Sequence, residues 1–228
     1  MIIILHGALG SRHQFDALLE RCGSSARFIE FPGHGSTADQ EAPWSIAAFA
    51  DHVAIELEQI GGRARIFGYS MGGYVAMCLA MQRPDLVSRI LTVGTKLAWT
   101  PATAAHEATR LDPEAILAKV PQFATDLMRR HGADRWKTVL SNTASLMREL
   151  GRTPLLTPER VATLEQPVRL CVGDRDAMVS IDETAAIAKA LPHGQLAVLP
   201  GTRHPMEQLD LQQLMFHVTT WLDSDDAA

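Results

Sequence analysis

Short runs of aliphatic and β-branched residues alternate with longer amphipathic segments along the chain. The runs fall at residues 2–5, 27–31, 64–69, 87–93, 168–172 and 195–199, and the helix-length stretches at 12–21, 45–60, 71–82, 181–190 and 211–222. That alternation is the pattern of a parallel sheet covered on both faces by helices, so the expected fold class is α/β with about six strands. The segment 71–82 is apolar around nearly its whole circumference, through Val75, Ala76, Met77, Leu79 and Ala80, and is expected to be the most buried helix. The acidic end of the chain, 223–228, is expected to fray.

The rhythm breaks between Thr95 and Thr157, where roughly sixty residues carry helix signals but no strand. Asp112 before Pro113 reads as an N-cap with proline at the first helical position, and Gly132 and Gly151 sit where C-terminal caps belong. Three or four short helices are expected there, and Thr157-Pro158 opens a further helix that returns the chain to the sheet. The organisation is one domain, 1–97 with 156–228, carrying an insertion over 98–155.

Composition narrows the function classes. A chain of 228 residues with 46% hydrophobic and 21% charged residues matches a single globular domain and excludes disordered or low-complexity classes. The net charge of -5 comes without a basic stripe, so nucleic acid is not an expected partner. The longest wholly apolar stretch, 75–81, is seven residues, far short of the roughly 20 that span a bilayer. Met1 runs directly into an apolar strand signal without the basic flank of a secretory leader, which makes the cytoplasm the expected location. Cys22, Cys78 and Cys171 are far apart and lack metal-type spacing, so they are expected to be reduced, mostly core residues, with no metal site.

Gly68-Tyr69-Ser70-Met71-Gly72 matches G-x-S-x-G and lies after an apolar strand signal and before the most apolar helix signal. A serine on so tight a strand-to-helix turn needs small neighbours, and the turn projects its hydroxyl beyond the sheet edge. A serine hydroxyl is a poor nucleophile at neutral pH, so it requires a base and an acid that orients the base. Of nine histidines, His204 alone falls after the last strand signal and before the last helix. For the acid, Gly173-Asp174-Arg175-Asp176 follows the preceding strand, and Asp176, further out of the strand, is preferred to Asp174. The backbone N–H of Met71 and of Ala8, with Leu9 as the fallback, are the candidate donors to an oxyanion. His6 is expected to shape the Ala8 loop by hydrogen bonds rather than to act in catalysis. All four signals follow predicted parallel strands, whose carboxyl ends share one sheet edge.

In the chain order serine, acid, histidine, these residues resemble the α/β-hydrolase superfamily. Phe31-Pro-Gly-His-Gly-Ser36 looks like its glycine-rich turn, and Gly173-Asp-Arg-Asp176 like its acid-bearing loop. The resemblance implies Ser70 as nucleophile, Asp176 as acid, His204 as base, the amides of Ala8 and Met71 as oxyanion hole, and a helical lid over 98–155. It also implies a sheet that begins at the family's third strand, hence all parallel in the order 2-1-3-4-5-6. The expected activity is cleavage of a small carboxylic ester or thioester through an acyl-enzyme on Ser70, with a small-molecule acyl substrate and no cofactor. The alternatives are a C–C bond hydrolase or lyase of the menaquinone-pathway type, which would need inward-pointing lid cations, and a triad-bearing ligand receptor. Trp99, Phe123, Met128, Trp136, Leu140 and Met147 are candidate walls of the substrate pocket, although for any one of them ordinary lid-to-core packing is the favoured reading.

Overall fold

The computed structural model describes residues 1–38 and 42–223. The acidic end expected to fray lies, from 224 onward, outside them. Six strands form one parallel sheet: β1 (Ile2–Leu5), β2 (Ala26–Ile29), β3 (Ala64–Tyr69), β4 (Val87–Val93), β5 (Val168–Gly173) and β6 (Gly194–Leu199). Their order, β2-β1-β3-β4-β5-β6, is the expected one. The second strand stops at Ile29, short of Phe31, because the Phe31 N–H is given to the His6 ring at 3.0 Å rather than to a neighbouring strand.

Successive side chains on each strand leave for opposite faces, and both faces are covered. Ile3, Leu5, Ile66, Ile90 and Leu170 join one core with α2 (Ile46–Ile60), α3 (Met71–Gln82) and α9 (Ile181–Ala190). Ile2, Ile4, Phe67, Tyr69 and Cys171 join the other with α1 (Asp16–Cys22) and α10 (Leu211–His217). Helix α3 is buried continuously from Met71 to Ala80, as its all-round apolar sequence requires. Cys78 and Cys171 lie in the core and Cys22 is half-buried; all three are free thiols.

The first expected helix opens as a 3₁₀ turn, Arg12–Phe15, before α1. The Ser11 amide reaches the Gln14 side chain at 3.1 Å and tightens that first turn. The last expected helix ends in a π turn, Val218–Leu222, which carries the indole N–H of Trp221 to the Ile90 carbonyl at 2.7 Å.

Between β4 and β5 the chain forms α4 (Pro101–Thr109), α5 (Pro113–Lys119), α6 (Pro121–His131), α7 (Trp136–Arg152) and the short α8 (Pro158–Val161). Asp112 caps α5 by accepting from the Ala115 amide at 2.8 Å. Gly132 ends α6 at φ 87°, a left-handed conformation that favours glycine. Gly151 is not a cap, because α7 runs 17 residues and ends at Arg152. A Cβ at Gly151 would collide with Ala104 and the Thr100 carbonyl, so the glycine serves close approach of α7 to α4. No described helix is long and apolar enough to cross a membrane.

Candidate active site

Ser70 stands between β3 and α3 at φ 50°, ψ -116°. A side chain at positive φ costs about 1–3 kcal/mol and persists only where its surroundings hold it. Here a Cβ on Gly68 would overlap the backbone of Gly72 and Gly73, and one on Gly72 would strike the carbonyls of Leu5 and His6. The Ser70 amide donates to the Val93 carbonyl at 2.8 Å, and the Thr95 hydroxyl donates to the Ser70 carbonyl at 2.9 Å. Clamped this way, the serine side chain lies at the carboxyl edge of the sheet.

The other two candidates reach the same edge. Ser70 Oγ is 3.3 Å from His204 Nε2, and His204 Nδ1 is 2.7 Å from Asp176 Oδ2. The other carboxylate oxygen of Asp176 accepts from the amides of Met178 at 2.8 Å and Val179 at 2.9 Å. Burial alone would raise the Asp176 carboxyl, but the His204 ring and those two amides outweigh it and hold the group below the ordinary carboxylate range. An ionised Asp176 accepts the Nδ1 proton, which leaves Nε2 bare toward the serine. Asp174, the other carboxylate of this loop, makes only a loose 4.0 Å approach to Arg175. The Tyr69 hydroxyl donates to the His204 carbonyl at 2.7 Å and ties the histidine loop to β3.

The loop after β1 closes the site from the other side. His6 donates from Nδ1 to the Gly7 carbonyl at 2.8 Å and accepts the Phe31 amide at Nε2. Burial pushes its pKa down to about 4, so the ring is neutral and fully engaged in holding the loop. Leu9 adopts φ 59°. Its carbonyl receives His131 Nε2 of α6 at 3.0 Å and Arg130 at 3.4 Å. His131 Nδ1 in turn accepts the Gly35 amide at 3.0 Å. Arg130 also pairs with Glu207, in the segment after His204, at 2.6 Å. The inserted helices are thereby latched to the loops on both sides of the serine. Tyr69, Thr95, Arg130 and His131 escape motif reading because each acts on a backbone group distant in the chain. The weak signal for His131 is that only two histidines occur within 98–155.

Ala8, Leu9, Ser70, Met71 and His204 border a cavity of about 1040 Å³ that runs beneath the inserted helices. Met71 opens α3, so its N–H belongs to the first turn, where no carbonyl four residues back is available. Trp99, Phe123 and Met147 line the cavity. Met128, Trp136 and Leu140 do not, which corrects their candidacy as pocket walls. Trp136 and Leu140 are buried in an apolar cluster with Leu9, Ile116 and Leu127, and Met128 packs against it. That cluster holds the inserted helices together, and only the later turns of α7 reach the cavity.

Comparison with known proteins agrees with this architecture. The sequence profile described as the alpha/beta hydrolase family matches residues 2–212. The chain is 25% identical over 251 residues to the sn-1-specific diacylglycerol lipase ABHD11 of Mus musculus, covering 97% of this chain and 80% of that protein. It is 40% identical over 88 residues to the pimeloyl-[acyl-carrier protein] methyl ester esterase of Neisseria meningitidis, 38% of this chain and 33% of the relative. Among solved structures, NosK from Streptomyces actuosus superposes with a TM-score of 0.78 at 26% identity, over 97% of this chain and 98% of that one. A match across nearly the whole chain, on a six-stranded parallel sheet, establishes that this protein belongs to the alpha/beta hydrolase family and is a hydrolase.

Proposed function

We propose that the protein is a serine hydrolase that cleaves a small carboxylic ester, or a thioester, through an acyl-enzyme on Ser70. The observation that carries this reading is the unbroken path of 3.3 Å and 2.7 Å from Ser70 Oγ through the His204 ring to Asp176, opening on a largely apolar cavity. In the first half-reaction Ser70 Oγ attacks the acyl carbon while His204 Nε2 takes its proton, then returns that proton to the departing alcohol or thiol. In the second, His204 takes a proton from water, which attacks the acyl carbon and frees the acid. Asp176 holds the ring in the required tautomer throughout. The amides of Ala8 and Met71 stabilise the oxyanion in both halves. The segment 98–155 acts as the lid, with Trp99, Phe123 and Met147 as its substrate walls.

A lyase or C–C hydrolase of the kind considered above would need free cations facing inward. Within the inserted segment, the cations that line the cavity are Arg110, Arg129 and Arg130, and each is paired with an acid: Glu107 at 3.3 Å, Asp126 at 3.2 Å and Glu207 at 2.6 Å; Lys96, Arg175 and Arg203 line it from outside that segment. Neutralisation of the cations in the inserted segment, where the rival chemistries need them free, therefore supports ester cleavage. Short p-nitrophenyl esters are expected to be hydrolysed, and an alkyl fluorophosphonate to label the protein at Ser70, with peptide mass spectrometry locating the adduct. Labelling elsewhere, or none with a folded protein, would remove the nucleophile from this reading.

The latch between α6 and the Ala8 loop yields a further expectation. Without its imidazole, His131→Ala frees the Gly35 amide and leaves the Leu9 carbonyl only the longer 3.4 Å bond from Arg130, so the loop that carries the Ala8 amide loses its main brace. Ester kcat is expected to fall about 10- to 100-fold with a smaller change in KM, since a misaimed donor costs the transition state more than the ground state. An unchanged kcat in a folded variant would mean that the latch does not aim the loop.

A further inference from the structure

Inside the cavity, one stretch of wall departs from its apolar lining. Leu111, Ile116, Leu146, Met147 and Leu150 form a sleeve suited to a hydrocarbon chain. Among them stand Glu107 of α4 and Thr143 of α7, which are 9% and 1% exposed. Arg110 reaches Glu107 Oε2 at 3.3 Å, and no described side chain bonds the other carboxylate oxygen. The Thr143 hydroxyl has no hydrogen-bond partner among the described residues. A threonine inside a helix ordinarily gives its hydroxyl to the carbonyl four residues back, and Thr143 does not. Buried polar groups are nearly always paired, so the unpartnered hydroxyl of Thr143, on a residue that borders the same apolar cavity as Glu107 with its second carboxylate oxygen unbonded, points to a bonding partner that the protein does not itself supply.

Charge decides what that partner is. Glu107 and Arg110 together carry no net charge, so a carboxylate in the substrate would face Glu107 and an ammonium would face Arg110. A neutral hydroxyl meets neither objection. It can donate to Glu107 and accept from Thr143, while the hydrocarbon that carries it fills the sleeve. We infer that Glu107 and Thr143 form a hydroxyl-reading subsite, and that the substrate is an ester with a neutral hydroxyl on the chain that lies beneath α4 and α7. This inference rests on Ser70 as the reacting group only for its kinetic readout; the subsite itself can be tested without turnover.

The test compares matched pairs of esters. One series carries the hydroxyl on the acyl side, as p-nitrophenyl hexanoate and octanoate against their ω-hydroxy forms. The other carries it on the alcohol side, as hexyl and octyl acetate against the corresponding ω-hydroxyalkyl acetates, followed by acid release. At one chain length, on one side, the hydroxy ester is expected to be preferred by about 10-fold in kcat/KM, because an analogue without the group leaves buried polar atoms unpaired. In Thr143→Val, nearly isosteric, and in Glu107→Leu that preference is expected to collapse, with fluorophosphonate labelling as the check on folding. Equal rates for both members of every pair, or the same preference in wild type and Thr143→Val, would overturn the subsite. In parallel, Ser70→Ala is mixed with the uncleaved esters and its thermal unfolding followed. A larger upward shift with the hydroxy ester, lost on adding Thr143→Val, supports the subsite even if wild type cleaves none of the esters; in that case the esterase reading alone fails.

Discussion

Ser70→Ala is expected to lower ester kcat/KM by about 10⁵- to 10⁶-fold and to abolish fluorophosphonate labelling, while the fold is retained. The size follows from how the three side chains act together. His204 has no proton to take once the oxygen is gone, and Asp176 then orients a ring with nothing to activate. Asp176→Asn is expected to cost about 10⁴-fold, because the amide, in presenting its N–H to Nδ1, would shift the ring proton to Nε2 and close it to the serine. The double variant should be scarcely worse than Ser70→Ala, since the residues serve one proton path rather than separate functions. Stability should not fall in Ser70→Ala, because alanine keeps the Cβ and removes only an oxygen lining the cavity. Measured kcat/KM for the single and double variants decides the matter. Losses that multiply would mean that Ser70 and Asp176 act independently, and turnover within 10-fold of wild type in Ser70→Ala would require another nucleophile.

Legibility of the fold and site in the sequence follows the range of the forces involved. The strands β1, β3 and β4 coincide with their apolar runs because burial on both faces keeps most positions apolar, with Arg65 in β3 and Ser88, Arg89 and Thr92 in β4 as the polar exceptions. The elbow at Ser70 is legible for a related reason: its backbone geometry tolerates only small neighbours, so Gly68 and Gly72 record it directly. Where tertiary contact overrides local preference, the reading slips. Gly151 resembles a cap because glycine ends helices, yet it lies within α7 where Ala104 approaches. Trp136 and Leu140 share a helix with the wall residue Met147, and nothing local reveals which turn of α7 faces the cavity and which packs inward. The bonds from Tyr69 to the His204 carbonyl and from His131 to the Leu9 carbonyl span 135 and 122 residues and end on backbone atoms, which leave no mark on the identity of the partner.

Acidification from pH 7 to pH 4.5 is expected to strip the protein of a large part of its stability, through three histidines buried behind the Ala8 loop. His6 lies 4.9 Å from His34, and His34 lies 5.9 Å from His131, ring centre to ring centre, all three almost wholly out of solvent. Burial depresses each, His6 to about 4 from an ordinary 6.5, and charge on any one of them opposes charge on the next. Hydrogen bonding adds to this, since His6 Nε2 and His131 Nδ1 accept backbone amides, and a proton on either nitrogen would set one N–H against another. The native state therefore binds fewer protons than the unfolded chain once the pH drops below about 6.5. Stability is fully present above that value and drains away as the pH falls toward the folded-state pKa values. For His6 alone the gap from 6.5 to about 4 is worth roughly 3 kcal/mol. Against a total of about 5–15 kcal/mol for a domain, that is a sizeable share, and His34 and His131, also depressed by burial, act in the same direction. Asp176, whose pKa is held down by His204 and two amides, acts in the same direction at lower pH. Denaturant melts between pH 7.5 and 4.5 should give a midpoint that declines continuously below pH 6.5, with net proton uptake on unfolding. His34→Phe removes one of the three charges while keeping a flat ring against Trp44, and should flatten the decline. A midpoint that holds constant down to pH 5 in the wild type would mean that water or rearrangement accommodates these protons in the folded state, and that the cluster is not the acid-sensitive part of the molecule.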